Sequence, residues 1–366
     1  MILKIVLCST VFINSSANSV VNRMTLGNNA CKNFANYFDA KFNENCFYNP
    51  DMFLETPDLI TKYAGKHEAY KITTEDGYIL TMFRIPRENP KGAILLQHPV
   101  TVNSRIYMSQ GNNSLGLILW KAGYDVWLNN QRGTLFSEDH TNSSISYLDY
   151  WDFSFHEVGV FDIPSQIDLI KRVTKSSNII FIGHSQGSTS GLIYAAVKNQ
   201  HAKNSVKLFI FMAMPCYFQH GSSPEFLVAN LIRSLPFAQA RVNFDCAIYF
   251  KNYSWKILIH YLQLTKTETK FQMFDYGRRN NLKMYHSEAP PLYPVENVTV
   301  PVYLVSSVND ILATTKDADL LFDRLPYNAK VYGKLQLTGF NHVDYFMGKH
   351  ANTIYKKLLN LIDMIA

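Results

Sequence analysis

The pentapeptide Gly183-His184-Ser185-Gln186-Gly187 follows an apolar run at 178–182 and leads into a helix-compatible stretch at 188–198. A strand that turns sharply into a helix strains its turn residue, so the positions two before and two after must be small; glycine at both removes the clash. The hydroxyl at the turn is then exposed, and the amides that follow it open a helix, where negative charge is favoured. The pentapeptide pattern alone is common, so the strand before it and the helix after it carry the argument. A glycine-rich turn with an ordinary solvated serine is the competing interpretation, and only partners elsewhere in the chain separate the two.

Upstream, strand-like segments at 70–74 and 78–85 flank the tight-turn signal Glu75-Asp76-Gly77, and 93–97 reads as a core strand. A helix over 115–121, a strand over 124–128, a helix over 158–172 and a strand over 207–212 follow. Such alternation predicts an α/β fold, a mostly parallel sheet with helices on both faces. Joined to the serine turn, it specifies the α/β-hydrolase arrangement, in which an acid and then a histidine sit on loops after later strands. Asp310 falls just past the strand-like run 300–305, and His342 lies in the loop after a strand expected over 329–337, before a closing helix over 351–365. A serine hydroxyl is a poor nucleophile until a neutral imidazole takes its proton, and a buried carboxylate fixes the tautomer of that imidazole and stabilises its charged form. Ser185, Asp310 and His342 are the expected nucleophile, acid and base.

The blocks Thr74-Glu75-Asp76-Gly77-Tyr78-Ile79-Leu80, Leu96-Gln97-His98, Asn112-Asn113-Ser114-Leu115, Ala122-Gly123-Tyr124-Asp125-Val126-Trp127-Leu128, Arg132-Gly133, Tyr150-Trp151-Asp152-Phe153-Ser154-Phe155-His156-Glu157, Gly183 to Gly187 and Asn341-His342-Val343-Asp344-Tyr345-Phe346 occur in one order. Through them the chain resembles the acid lipase family, which includes gastric and lysosomal acid lipases. The resemblance implies the same three residues, an oxyanion hole from the backbone amides of Gln186 and Val100, no cofactor and no metal. It implies a serine hydrolase cleaving carboxylic esters of neutral lipids, acylglycerols or sterol esters, through an acyl-enzyme. The chain departs from the family at Pro99, where glycine is usual. Proline fixes its own φ and constrains His98 to extended geometry, while the Val100 amide survives. A second departure is a shortened insertion, expected over 216–290, that still carries Val228, Leu231, Ile232 and Leu235 at helical spacing and is expected to form a cap. A non-catalytic lipid-binding relative and a small-ester esterase are the alternatives.

The expected organisation is a signal peptide over 1–17, a polar lead-in over 18–55, hydrolase core over 56–215 and 291–366, and the cap between the two core parts. Lys4 before an apolar stretch too short to span a bilayer, then small polar residues, is the pattern of a secretory signal, which implies secretion or lysosomal delivery. Four cysteines would remain, Cys31, Cys46, Cys216 and Cys246; proximity favours Cys31 with Cys46 and Cys216 with Cys246, although three connectivities are open. Asn112, Asn142, Asn252 and Asn297 begin glycosylation sequons. The 366 residues are 47% hydrophobic, enough for a sheet covered on both sides, and a net charge of +6 without long basic clusters gives no nucleic-acid footprint. The expected partners are a neutral lipid or ester and a lipid–water interface, with no integral membrane anchor. His156, Glu157 and Asp162 are close in sequence but lack metal-ligand spacing and read as helix-start and packing residues.

Overall fold

A computed structural model describes residues 35–36, 51, 54–221, 254–267 and 269–365. The expected signal peptide, Cys31, Cys46, Cys246, Asn252 and the apolar positions from Val228 to Leu235 lie outside these residues.

Nine strands form one sheet: β1 (Glu68–Thr73), β2 (Tyr78–Ile85), β3 (Ala93–Gln97), β4 (Asp125–Leu128), β5 (Asp139–His140), β6 (Ile179–His184), β7 (Val206–Met212), β8 (Val302–Ser307) and β9 (Lys334–Leu337). Their order is β1-β2-β4-β3-β6-β7-β8-β9, with β5 paired to β2. The pairs made by β1 and β2 are antiparallel, and those from β4 through β3 to β9 are parallel. The central strands are near-continuous apolar runs because helices cover both faces, and alternate side chains still go to opposite sides. Leu95, Phe181, Phe209 and Phe211 enter one core with Ile163, Ile167, Leu192 and Ile193. Ile94, Leu96, Ile180, Ile182, Leu208 and Ile210 enter the other with Leu115, Leu119, Ile354 and Leu358. Each such fully buried side chain contributes roughly 1.5–3 kcal/mol. The helix Ala351–Ile365 closes the second face, as its spacing predicts.

Two expectations need correction. The helix expected over 158–172 is interrupted: a short turn at Phe155–Glu157 is followed by a π-helical turn at Val158–Asp162, and the regular helix is Ile163–Thr174. Pro164 supplies the reason, since it has no N–H to donate backwards and its ring crowds the preceding turn. The strand expected over 329–337 shrinks to Lys334–Leu337, because Tyr327–Ala329 forms a 3-10 turn and Gly333 has φ of +73°. In the expected cap, Cys216 is a buried thiol with no disulfide partner among the described residues. The described helices there are Trp255–Thr267 and Arg278–Tyr285. Among the described residues, no helix is long and apolar enough to cross a membrane.

Candidate active site

β3, β6, β8 and β9 run parallel, so the loops leaving their C-terminal ends share one rim, which is where open α/β sheets place ligands. Ser185 stands between β6 and the helix Gln186–Val197 with φ of +51° and ψ of −121°, a conformation that L side chains rarely adopt. Its amide is fixed by a 2.9 Å bond to the Met212 carbonyl. The flanking glycines are demanded by backbone approach rather than by their own torsions. A Cβ on Gly183 would lie 2.7 Å from the Gly187 carbonyl carbon and the Ser188 nitrogen, and one on Gly187 would meet Gln97 and the His98 carbonyl within 2.8 Å.

Three distant side chains converge here. His342 Nε2 lies 2.8 Å from Ser185 Oγ, and His342 Nδ1 lies 2.9 Å from Asp310 Oδ2. The second oxygen, Asp310 Oδ1, accepts the Leu312 and Ala313 amides at 2.9 Å each. The carboxylate is fully buried and the imidazole partly open. Charge on Asp310 is thus held by two amides and an imidazole N–H, which places the His342 proton on Nδ1 and leaves Nε2 free to accept from the serine.

Neither the Gln186 nor the Val100 amide donates a hydrogen bond among the described residues. Val100 follows Pro99, and Thr101 then takes φ of +65°, so the chain turns sharply as it leaves β3. His98 accounts for how this turn is held. Its Nε2 accepts the Gln131 amide at 3.1 Å, so the proton is on Nδ1, which donates to the Pro99 carbonyl at 2.8 Å. That carbonyl belongs to the peptide unit whose N–H is the Val100 amide, and a planar trans peptide aims the two oppositely. Burial pushes the His98 imidazole down to about 4, although its bond to the Pro99 carbonyl opposes the shift. The ring therefore stays neutral near pH 7 and keeps Nε2 as an acceptor.

Gln131 and Arg132 were not legible as parts of the site. Gln131 Oε1 accepts from Gln186 Nε2 at 3.3 Å, so one residue touches both the His98 ring and the residue after Ser185. Arg132, 1% exposed, bonds Asp162 Oδ1 through Nε at 2.7 Å and both Asp76 oxygens at 2.6 and 2.8 Å. Its guanidinium lies 4.0 Å from the Tyr78 ring centroid. This fork clamps the loop after β4 to the turn before β2 and to the π-helical turn. Asp162 is thus an ion-pair partner.

His156 and Glu157 behave as helix-start and packing residues: Ser154 and Glu157 form a capping box, and His156 Nδ1 lies 3.0 Å from the Tyr293 hydroxyl. Among the described residues no group of three or more His, Cys, Asp or Glu is placed to hold a metal. Asn112, Asn142 and Asn297 are exposed on the surface.

Comparison with known proteins agrees with this frame. A family model described as a partial alpha/beta-hydrolase lipase region matches residues 56–111, and one described as the alpha/beta hydrolase fold matches 93–232. Gastric triacylglycerol lipase of Bos taurus is 29% identical over 370 residues, covering 86% of this chain and 92% of its own. Lysosomal acid lipase/cholesteryl ester hydrolase of Macaca fascicularis is 28% identical with the same coverage, 86% and 92%. Lipase 1 of Drosophila melanogaster is 29% identical, covering 86% of this chain and 81% of its own. Among solved structures, the Pyrococcus furiosus esterase Pf2001 superposes with a TM-score of 0.52 at 14% identity over 84% of this chain and 94% of that one, a likeness of fold. The chain carries the α/β-hydrolase fold, resembles the gastric and lysosomal acid lipases over most of its length, and is a lipase-type carboxylic ester hydrolase.

Proposed function

We propose that the protein is a serine hydrolase that cleaves carboxylic esters of neutral lipids, acylglycerols or sterol esters, through an acyl-enzyme, in a secreted or lysosomal setting. The observation that carries this reading is the unbroken chain of bonds from Ser185 Oγ to His342 at 2.8 Å and from His342 to Asp310 at 2.9 Å. As Ser185 Oγ attacks the ester carbonyl carbon, His342 Nε2 takes its proton, and the buried Asp310 carboxylate stabilises the imidazolium. The carbonyl oxygen gains negative charge, and the Gln186 and Val100 amides stabilise it. Collapse of the tetrahedral intermediate expels the alcohol, which receives the proton from His342. Water, activated by the same imidazole, then releases the acid and restores Ser185.

The likeness to gastric and lysosomal acid lipases supports the neutral-lipid substrate and the secreted or lysosomal setting. We assign 216–290 as the cap over the site; its described helix Trp255–Thr267 is tied to the core where Ser254 Oγ donates to the Trp151 carbonyl at 2.8 Å. The test is rapid-mixing hydrolysis of a chromogenic acyl ester, followed by a panel of emulsified triacylglycerols and sterol esters. A burst of released alcohol equal to the enzyme concentration and activity on the emulsions are expected. Turnover confined to dissolved short esters would favour a small-ester esterase, and the absence of any covalent acyl intermediate would overturn the mechanism.

A further inference from the structure

We propose that His184, the residue before the nucleophile, is a positioning residue for His342: its ring donates a hydrogen bond to the His342 main-chain carbonyl and holds that imidazole in line with Ser185. The inference rests on the roles given above to Ser185 and His342. His184 ends β6, is 2% exposed, and has Nε2 3.0 Å from the His342 carbonyl oxygen. A carbonyl can only accept, so the proton is on Nε2, and Nδ1 is bare, buried and without a partner among the described residues. Burial and the neighbouring His342 both push the His184 imidazole well below its ordinary value, which keeps the ring neutral and this tautomer in place.

The ring is also fixed by its neighbours. Phe346 presents an edge at 4.8 Å between centroids, His342 lies tilted at 5.1 Å and Tyr345 at 5.4 Å. The loop from Thr338 to Val343 has few other ties. The Gly339 amide bonds Asn309 Oδ1 at 2.6 Å, and the Asn341 and Val343 amides bond Asp344 Oδ2 and Asn341 Oδ1, within the loop and its following turn. Among the described residues, the bond from His184 is the one that joins the main chain of this loop to the strand carrying Ser185. One rigid strand end thus presents the nucleophile and grips the backbone of its base. Misplacement of a reacting group by about 1 Å costs on the order of 100-fold in rate.

The test compares His184→Gln, whose amide N–H falls near the place of Nε2, with His184→Met, of similar length but without a donor. Turnover of a dissolved acyl ester, KM, fluorophosphonate labelling rate and thermal unfolding are measured for both. The expected result is a fall in kcat and labelling rate of about 10- to 100-fold for Met with KM within about twofold, and recovery by Gln to within about threefold of the parent. His184→Phe, which keeps a ring without a donor, is expected to track Met and decides the matter if Met fails to fold. A donor-less variant with parental kcat, or Gln and Met equally impaired, overturns the proposal. The parent protein is the reference: if it is not labelled at Ser185, the mechanism itself fails, whereas a labelled parent with an equally active Met variant removes only the role of His184.

Discussion

Gly187→Ala tests whether the serine turn and the loop that carries Val100 are held by direct backbone contact. A Cβ at this position would lie 2.8 Å from the Gln97 carbonyl carbon and the His98 carbonyl oxygen, and closer still to the Gln97 carbonyl oxygen. Ordinary contact begins near 3.4 Å, so the two backbones must part by at least about 0.6 Å, and by roughly an ångström at the Gln97 oxygen. None of these atoms is the end of a flexible side chain, and all belong to the stretch that carries Val100. The opening therefore moves the Val100 amide away from Ser185, and displacement on this scale predicts a loss of about 100-fold in kcat/KM, or about 3 kcal/mol of transition-state stabilisation. Overpacking is expected to lower folding stability by about 1–3 kcal/mol as well. Gly191→Ala is the matched control, because its Cβ would meet the Phe181 and Phe211 rings at 2.6 and 2.7 Å, within the core. Steady-state hydrolysis of a dissolved ester and urea unfolding are measured on both. Similar destabilisation of the two with loss of kcat/KM in Gly187→Ala alone is expected. A Gly187→Ala enzyme within about threefold of the parent would refute the reasoning.

Pro99→Gly is expected to leave turnover within about tenfold of the parent, because His98 already holds the Pro99 carbonyl; a larger gain would show that proline misaims the Val100 amide. Arg132→Met leaves Asp162 buried without its cation and should cost about 3–5 kcal/mol of stability in urea unfolding; a loss under about 1 kcal/mol would contradict the clamp. His98 has a folded-state value of about 4 against 6.5 for the free group, so the unfolded chain binds more protons between those values. The stability contributed by neutral His98 is then complete above about pH 6.5 and is lost as pH falls toward 4, about 3 kcal/mol in all. Urea unfolding of the parent and His98→Asn at pH 7 and pH 4 should show that the variant loses less on acidification by about this amount, and equal losses would refute it.

The elements nearest the chemistry were the most legible. A strand, a serine between two glycines and a helix are local, and the expected strand over 93–97 and helix over 115–121 match the observed Ala93–Gln97 and Leu115–Lys121. Asp310 and His342 could be anticipated because parallel topology sends each loop to the same rim. What sequence reasoning missed depends on contacts between distant segments. Asp76, Arg132 and Asp162 are separated by dozens of residues, and nothing local pairs a turn aspartate with that arginine. The best available signal was Arg132 itself, in the loop after a strand and directly before Gly133, where a charge must find partners if the loop is buried. His98 could be suspected of bracing its loop, but its tautomer depends on the Gln131 amide 33 residues away. The two-residue β5 has no periodicity to read, and the π-helical turn at Val158–Asp162 is hidden within an amphipathic pattern.

The most direct measurement is labelling of the purified protein with a fluorophosphonate probe, with the modified peptide mapped by mass spectrometry, on the parent, Ser185→Ala and His342→Ala proteins. The account predicts near-stoichiometric modification of Ser185 in the parent, none in Ser185→Ala, and a rate lower by a factor of at least about a thousand in His342→Ala. Ester hydrolysis that persists in Ser185→Ala at the parental rate, or labelling that ignores the loss of His342, would contradict it.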